Sequence, residues 1–354
     1  MQEPQVTVIV VNHNRAELLR QCLLSLLAPQ GADFEVIVVD NGSTDGSVQV
    51  VEEFAARAPF RVRLIRNKTN PGFCAANNQG IRASRAPFVA LLNNDAEAGP
   101  GWLGALLEAF ADSRVGMAAS KILVHEDPRV IDKAGHLIYL DGQNRGRGTG
   151  ELDRGQYDRR EEVLWPDGCA CMYRRAMLDE IGLFDEDLFA YGDDAELGLR
   201  ARIAAWRCLY VPEAVVRHHR GATLGVASPR RIALIERNRV LLATKHFPWD
   251  LLLLNPLFYA ARLAAGAWAA LRGRGEAGRI RGAGARLRLL AALLQGDLEA
   301  FMRIPATLRK RRQLRPLRRM SNSEIRRLLW RHRIGLRELS EQAAFAAAAD
   351  GQRA

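Results

Sequence analysis

Paired cysteines, glycine-rich phosphate loops and long uninterrupted apolar runs are all missing from this chain of 354 residues. The five cysteines (Cys22, Cys74, Cys169, Cys171 and Cys208) are odd in number and scattered. Only Cys169 and Cys171 are close, and a lone C-x-C lacks the second pair that a cysteine zinc site needs. Reduced thiols in a cytosolic core are therefore expected. No G-x-G-x-x-G follows the first strand-like run and no G-x-x-x-x-G-K-[ST] occurs. The dinucleotide-fold and P-loop readings thereby lose their main support. The N-terminus has no basic leader, and residues 6–11 are too short and too β-branched for a secretory core, so a cytoplasmic location is expected.

Apolar residues make up 48 % of the chain, which argues against wholesale disorder, and the net charge is +11. That charge is unevenly placed. Residues 1–227 carry 25 Lys/Arg against 31 Asp/Glu, whereas residues 228–354 carry 26 against 9. Two regions are expected, the second suited to an anionic surface.

The first half alternates strand-like and helix-like stretches. Residues 6–11 form a β-branched run of the kind covered on both faces of a sheet. Asn14, with Glu17 three residues on, reads as a capping pair for a helix whose stripe is Leu18, Leu19, Cys22, Leu23, Leu26 and Leu27. Pro29 ends it. Strands at 34–39, 62–65 and 88–92 alternate with helices near 48–56 and 73–83. This order predicts a parallel sheet with right-handed crossovers and ligands beyond the carboxyl ends of its strands. The polar residues there are Asn12, His13, Asn14, Asp40, Asn93, Asn94 and Asp95. Residues 141–162, rich in Gly, Arg and Asp, read as a mobile connection or an ordering lid. Order resumes at 163–173, with helices near 175–181 and 193–205 and strands at 208–211 and 215–218.

Beyond Ser228 the texture changes. Residues 251–254 and 257–271 are apolar but separated by Asn255-Pro256 and interrupted by Arg262. A central Arg costs about 2.5–3.5 kcal/mol on insertion scales. Leu257, Ala261, Ala264, Trp268 and Leu271 share a helical face. An interfacial amphipathic helix is expected rather than a span. Arg-rich helical segments follow near 286–302 and 323–339.

Four acidic or histidine motifs carry chemistry. Asn94, Asp95 and Glu97 follow the strand at 88–92. On extended backbone positions i and i+2 point the same way, so Asp95 and Glu97 can converge on one hard divalent cation such as Mg²⁺ or Mn²⁺. Such an ion neutralises charge growing on a diphosphate leaving group. Asp40 ends the second strand in VDNGSTDG, where it can accept hydrogen bonds from a base or ribose or simply form the turn. Asp193, Asp194 and Glu196 open a helix; they either complement its dipole or supply a general base. His218-His219 ends a strand, and an imidazole there is a plausible third metal ligand or a satisfied core group.

Together these segments resemble glycosyltransferase family 2 enzymes of GT-A fold, particularly the rhamnosyltransferase-like branch. The resemblance spans about residues 5–225, through VTVIVVNHNR, VVDNGSTDGS, NPGFCAANNQGI, ALLNNDAEAGPGWL, GCACMYRRAMLDEIGLFDEDLFAYGDDAELGLR and YVPEAVVRHH in register. It implies a Rossmann-like, mostly parallel sheet flanked by helices over 1–227, with a basic helical extension over 228–354. By position, Val11, His13, Asn14 and Asp40 line the nucleoside pocket, with Asn70, Gly72, Asn78 and Asn94 near the donor. Asp95, Glu97 and His218 stand at the metal site. Asp194 stands at the catalytic base with Asp193 beside it, and Trp165, Asp167 and Gly168 face the acceptor. The chain departs from the usual pattern at Asp193, where Glu is common, at Glu196, where Asp is common, and at His13, where an aromatic is common. The resemblance implies inverting transfer from a dTDP- or UDP-sugar to a saccharide acceptor, lipid-linked if the basic half lies on a membrane. Rhamnose is the favoured sugar.

Two other classes compete. A nucleic-acid-binding module would use the basic half, but those segments lack interleaved aromatics, and no nucleic acid partner is expected. A non-catalytic sugar-nucleotide scaffold would need a decayed site, yet the acidic residues at 95, 97, 193 and 194 are intact.

Overall fold

The computed structural model describes residues 3–219, 228–275 and 282–341. The β-branched runs form strands β1 (Val6–Asn12), β2 (Phe34–Asp40), β3 (Val62–Arg66) and β4 (Phe88–Leu92). Between them run α1 (Ala16–Ser25), α2 (Ser47–Ala55) and α3 (Phe73–Ala83). β1 pairs in parallel with β2 and β4, and β2 with β3, as the alternation predicts. The sheet continues through β6 (Val115–Val124), β11 (Ala170–Arg174) and β12 (Arg207–His218). β11 lies antiparallel between β4 and β6, so the sheet is mixed but mostly parallel.

Period-two alternation along β1 shows why the sheet is covered twice. Val8 and Val10 pack towards α1, α2 and α4 (Trp102–Glu108). Ile9 packs on the other face with α3, α5 (Arg175–Ile181) and α6 (Asp193–Ile203). Gly80 of α3 is required by that contact, since a Cβ there would lie 2.7 Å from Ile9. All five cysteines are buried and free, as expected.

Three local expectations need correction. Asn14 does not cap α1: Asn14 and Arg15 take left-handed φ values of 59° and 69°. The Ala16 N–H instead meets Asp45 Oδ2 at 2.9 Å, a cap supplied from the next crossover. Residues 141–162 are an ordered connection containing β9 (Asn144–Gly146) and β10 (Glu161–Glu162). Lys121 anchors it through Asp153 at 2.5 Å and Asp158 at 2.6 Å; its low apolar content hid ionic rather than apolar fastening. The segments at 208–211 and 215–218 are one strand, β12, with an irregularity between Val211 and Val215.

The basic region is helical: α7 (Pro229–His246), α8 (Trp249–Leu271), α9 (Ala283–Gln313), α10 (Asn322–Arg331) and α11 (Leu336–Glu341). Asn255-Pro256 does not divide α8, which runs through Pro256. The boundary expected at 227/228 abuts residues 220–227, which lie outside the described residues. Leu199 of α6, Leu242 and Phe247 near α7, Leu251 of α8 and Ile325 of α10 share one apolar cluster. Glu196 ties α6 to α7, reaching Arg200 at 2.7 Å, Lys245 at 3.1 Å and His246 at 2.9 Å. Burial raises its pKa, but Arg200 and Lys245, with the hydrogen bond from His246, outweigh burial and hold it well below the usual carboxylate range.

Candidate active site

The carboxyl ends of β1, β2 and β4 gather most of the expected residues. Asn12 joins two of them: its amide donates to Asp40 Oδ2 at 3.0 Å, and its oxygen accepts from Asn94 Nδ2 at 2.7 Å. Asp40 also accepts from Ser43 N at 2.9 Å and Ser43 Oγ at 2.6 Å, which shapes the turn after β2. Asn14 closes that turn by accepting from Thr44 N at 3.0 Å, while His13 Nδ1 lies 3.0 Å from the Asn41 carbonyl. Val11 is half-buried, the last residue but one of β1. Asn70 Oδ1 accepts from Gly72 N at 2.9 Å. Gly72 has φ of 95°, and a Cβ there would come within 2.5 Å of the Phe189 ring. Asn78 is fully engaged elsewhere: it bonds both backbone groups of Phe184, at 2.9 and 3.0 Å, and Glu186 at 2.8 Å. It pins α3 to the segment before α6.

The second half of the site is built around the turn Asp167-Gly168-Cys169. On one side Gly168 N donates to Asp194 Oδ2 at 3.2 Å, and Ala195 N donates to Asp194 Oδ1 at 2.7 Å. On the other side His218 lies 3.4 Å from Asp95 through Nε2. Cys169 O accepts from Asn93 N at 2.8 Å, locking the turn to the end of β4. Asp95 and Asp194 thus flank one three-residue turn.

Electrostatics separate the carboxylates. Asp193 is buried, and burial followed by the charge of Asp194 pushes its pKa up to about 8. Asp194 is also raised, chiefly by burial, with His136 opposing. Asp167 goes the other way. Burial raises it, but Lys133 and then His136 outweigh burial and hold it well below the usual range. Lys133 Nζ lies 2.5 Å from Asp167, and His136 Nε2 lies 2.8 Å from Asp167 and 3.5 Å from Asp194. For His218, burial disfavours the imidazolium, but Cys169, Asp132 and Asp95 outweigh it and raise the pKa well above the usual value.

Two expectations change here. Residues 93–95 form a turn, with Ala96 N donating to Asn93 O at 3.1 Å, so the i, i+2 rule of extended backbone does not apply. Asp95 partners His218, whereas Glu97 faces His125 and His219. Trp165 is completely buried, stacked on His136 with ring centroids 6.0 Å apart, so it supports the turn from behind and offers no surface to an acceptor. Trp165, Asp167 and Gly168 precede β11 and do not lie on a strand.

Sequence reasoning missed Lys133, His136, Asp132 and His125. Lys133 ends β7 (Ile131–Lys133) and His136 opens β8 (His136–Ile138), three-residue strands too short to show a period. Two basic groups three residues apart among apolar neighbours were the only available signal.

The model for "Glycosyl transferase family 2" matches residues 7–182. The N-acetylglucosaminyl-diphospho-decaprenol L-rhamnosyltransferase of Mycobacterium tuberculosis (strain ATCC 25618 / H37Rv) is 28 % identical over 265 residues, covering 68 % of this chain and 85 % of the relative. Mannosyltransferase PcManGT from Pyrobaculum calidifontis, in complex with GDP-Man and Mn²⁺, superposes with a TM-score of 0.51 and 20 % identity, covering 90 % of this chain and 86 % of that one. S. aureus TarS in complex with UDP gives 0.53 and 18 %, covering 95 % and 90 %. The fold is GT-A-like, with a helical C-terminal region.

Proposed function

The chain belongs, through residues 7–182, to glycosyltransferase family 2, and from that premise we propose that it transfers a sugar, rhamnose by preference, from a dTDP- or UDP-linked donor to a hydroxyl of a lipid-linked saccharide. The observation that carries this reading is the turn at 167–169: Gly168 N bonds Asp194, and Cys169 O bonds Asn93 N, two residues before Asp95 and its neighbour His218. A hydroxyl reaching the Gly168 side meets Asp194, whose two oxygens are oriented by backbone N–H groups and which is the candidate proton acceptor. Asp193, neutral below about pH 8, leaves the negative charge of the pair on Asp194. A single displacement with inversion follows from a base on the acceptor side and a leaving group on the other. Positioning and charge stabilisation supply most of the rate.

The residues present fit a divalent cation. Asp95 Oδ1 is buried without a hydrogen-bond partner and faces His218 Nε2 at 3.4 Å, while Asp132 orients the other ring nitrogen at 2.7 Å. Asp95 and His218 would hold Mg²⁺ or Mn²⁺, which when bound neutralises charge on the departing diphosphate.

The membrane supplies the second substrate in this reading, on its cytoplasmic face. α8 is long and apolar enough to cross a bilayer by length and composition. Midway along it, however, Arg262 binds Asp141 at 2.5 Å and Glu236 at 2.7 Å, both in the protein interior. That docks one face of α8 on the protein and favours a helix lying in the interface. Leu253, Leu257, Trp268 and Leu271 of α8 are exposed, as are Leu287, Leu290, Leu294, Leu298 and Phe301 of α9 at helical spacing. The basic region adds electrostatic attraction to anionic lipid.

The test is a panel of nucleotide sugars with Mn²⁺. A matching donor at 100 times its Kd raises stability by about 2.7 kcal/mol and supports transfer to a lipid-diphosphate saccharide. No stabilisation by any donor, or transfer that proceeds unchanged after chelation, overturns the reading.

A further inference from the structure

We propose that Glu97, His125 and His219 form a second metal site, for a borderline ion of the Zn²⁺ class, beside the Asp95–His218 pair. The three side chains come from separate places: β5 (Ala96–Ala98), the residue after β6, and the residue after β12. One ligand atom from each lies within 4.8 Å of the others. His125 Nδ1 and His219 Nε2 both aim at Glu97 Oε1, each from 3.4 Å. The His219 contact is a long hydrogen bond, and both distances exceed the usual 2.7–3.2 Å. They match the edge of a tetrahedron with zinc bonds near 2.05 Å, which is roughly 3.3 Å. The Nδ1 atom of His125 is buried without a hydrogen-bond partner. The two rings stack with centroids 3.6 Å apart, so loading an ion requires them to splay until both ring nitrogens face it.

The histidines at the end of β12 are built alike. His218 sends Nε2 towards Asp95 and Nδ1 to Asp132. His219 sends Nε2 towards Glu97, and its Nδ1 lies 3.4 Å from the exposed Glu126, a looser contact than the one His218 makes with Asp132 at 2.7 Å. A carboxylate on the far nitrogen is the arrangement that fixes a metal-bound imidazole. Neighbouring residues at a strand end project to opposite sides, so one ion cannot take both rings. Two imidazoles and one carboxylate also suit a different metal from the oxygen-rich diphosphate site: Zn²⁺ over Mg²⁺. Backbone bonds join the two sites, since His219 N donates to Asp95 O at 2.9 Å and His125 N to His218 O at 3.0 Å. An ion at Glu97 would therefore clamp the segments that carry Asp95 and His218. The site stands independently of the proposed transfer activity.

The test uses the full chain freed of metal, then loaded with one equivalent of Zn²⁺ and studied by X-ray absorption at the zinc edge. Two imidazole scatterers per zinc are expected, because among the described residues only this group offers two histidines. One or none overturns the proposal, and this readout needs no variant to fold. Co²⁺ titration by visible absorption provides the second measurement. His125→Ala is expected to weaken the Zn²⁺-displaceable band at least tenfold, while Asp95→Asn retains it. A band of unchanged affinity in both His125→Ala and Glu97→Gln refutes the assignment.

Discussion

Asp194→Asn isolates the proposed base with little change of shape. The carboxylate accepts two backbone bonds, from Ala195 N at 2.7 Å and Gly168 N at 3.2 Å. An amide keeps one acceptor and turns an NH₂ towards the other donor, a loss of about 1 kcal/mol. Removing a carboxylate from beside Asp193 offsets part of that, because Asp194 is what raises Asp193 after burial. The fold should therefore survive. The chemical step loses its proton acceptor, which typically contributes 10²–10⁴-fold, or about 2.7–5.4 kcal/mol of barrier. Initial rates of nucleotide release with acceptor present, together with donor binding followed by thermal shift, separate the two effects. A kcat lower by two to four decades with donor affinity unchanged within threefold is expected. Wild-type transfer in the variant refutes the base assignment, and a parallel loss of donor binding shows that Asp194 shapes the site instead.

Asp193 carries a pH signature. Its folded pKa of about 8 exceeds the ordinary carboxylate value, so the folded chain holds the proton between those limits and stability falls as pH rises through that window. Urea unfolding at pH 5 and pH 9 should show Asp193→Asn gaining on wild type by more than about 1.4 kcal/mol at the higher pH, one pKa unit's worth; equal pH dependence contradicts the buried, coupled pair. Arg262→Leu leaves Asp141 and Glu236 inside the protein with Arg239 as their remaining cation among the described residues, at 3.7 and 2.5 Å. A loss of about 3 kcal/mol in unfolding free energy is expected, and a loss below about 1 kcal/mol would mean that Arg262 does not dock α8. Leu257→Glu combined with Leu298→Glu should weaken sedimentation with anionic vesicles by at least tenfold per leucine, since burying each contributes about 1.5–3 kcal/mol; unchanged binding removes the apolar stripes from the membrane contact.

Periodicity carried the doubly covered sheet. Strands whose alternate residues are all apolar, as in Val8, Ile9 and Val10, have one physical solution, with helices on both faces. The ends of those strands were legible too, because Asn12, Asp40, Asn94 and Asp95 are polar residues directly after buried runs. The chemistry at Asp193-Asp194 was visible as a motif but not as an electrostatic state. Its ionisation depends on burial and on His136 and Lys133, which enter from short strands nearly sixty residues away.

Reasoning from local geometry failed where the backbone left its regular form. Asp95 and Glu97 would share a side on extended chain, but the turn at 93–95 sends them to different histidines. The cap of α1 comes from Asp45, and no local pattern announces an acceptor that reaches the helix from across a crossover. Residue type and spacing determined what each segment could become: strand, helix, ligand or base. Tertiary packing alone decided which carboxylates are paired, which stay protonated and which histidine each one meets, because those outcomes depend on desolvation and on distances between segments far apart in the chain.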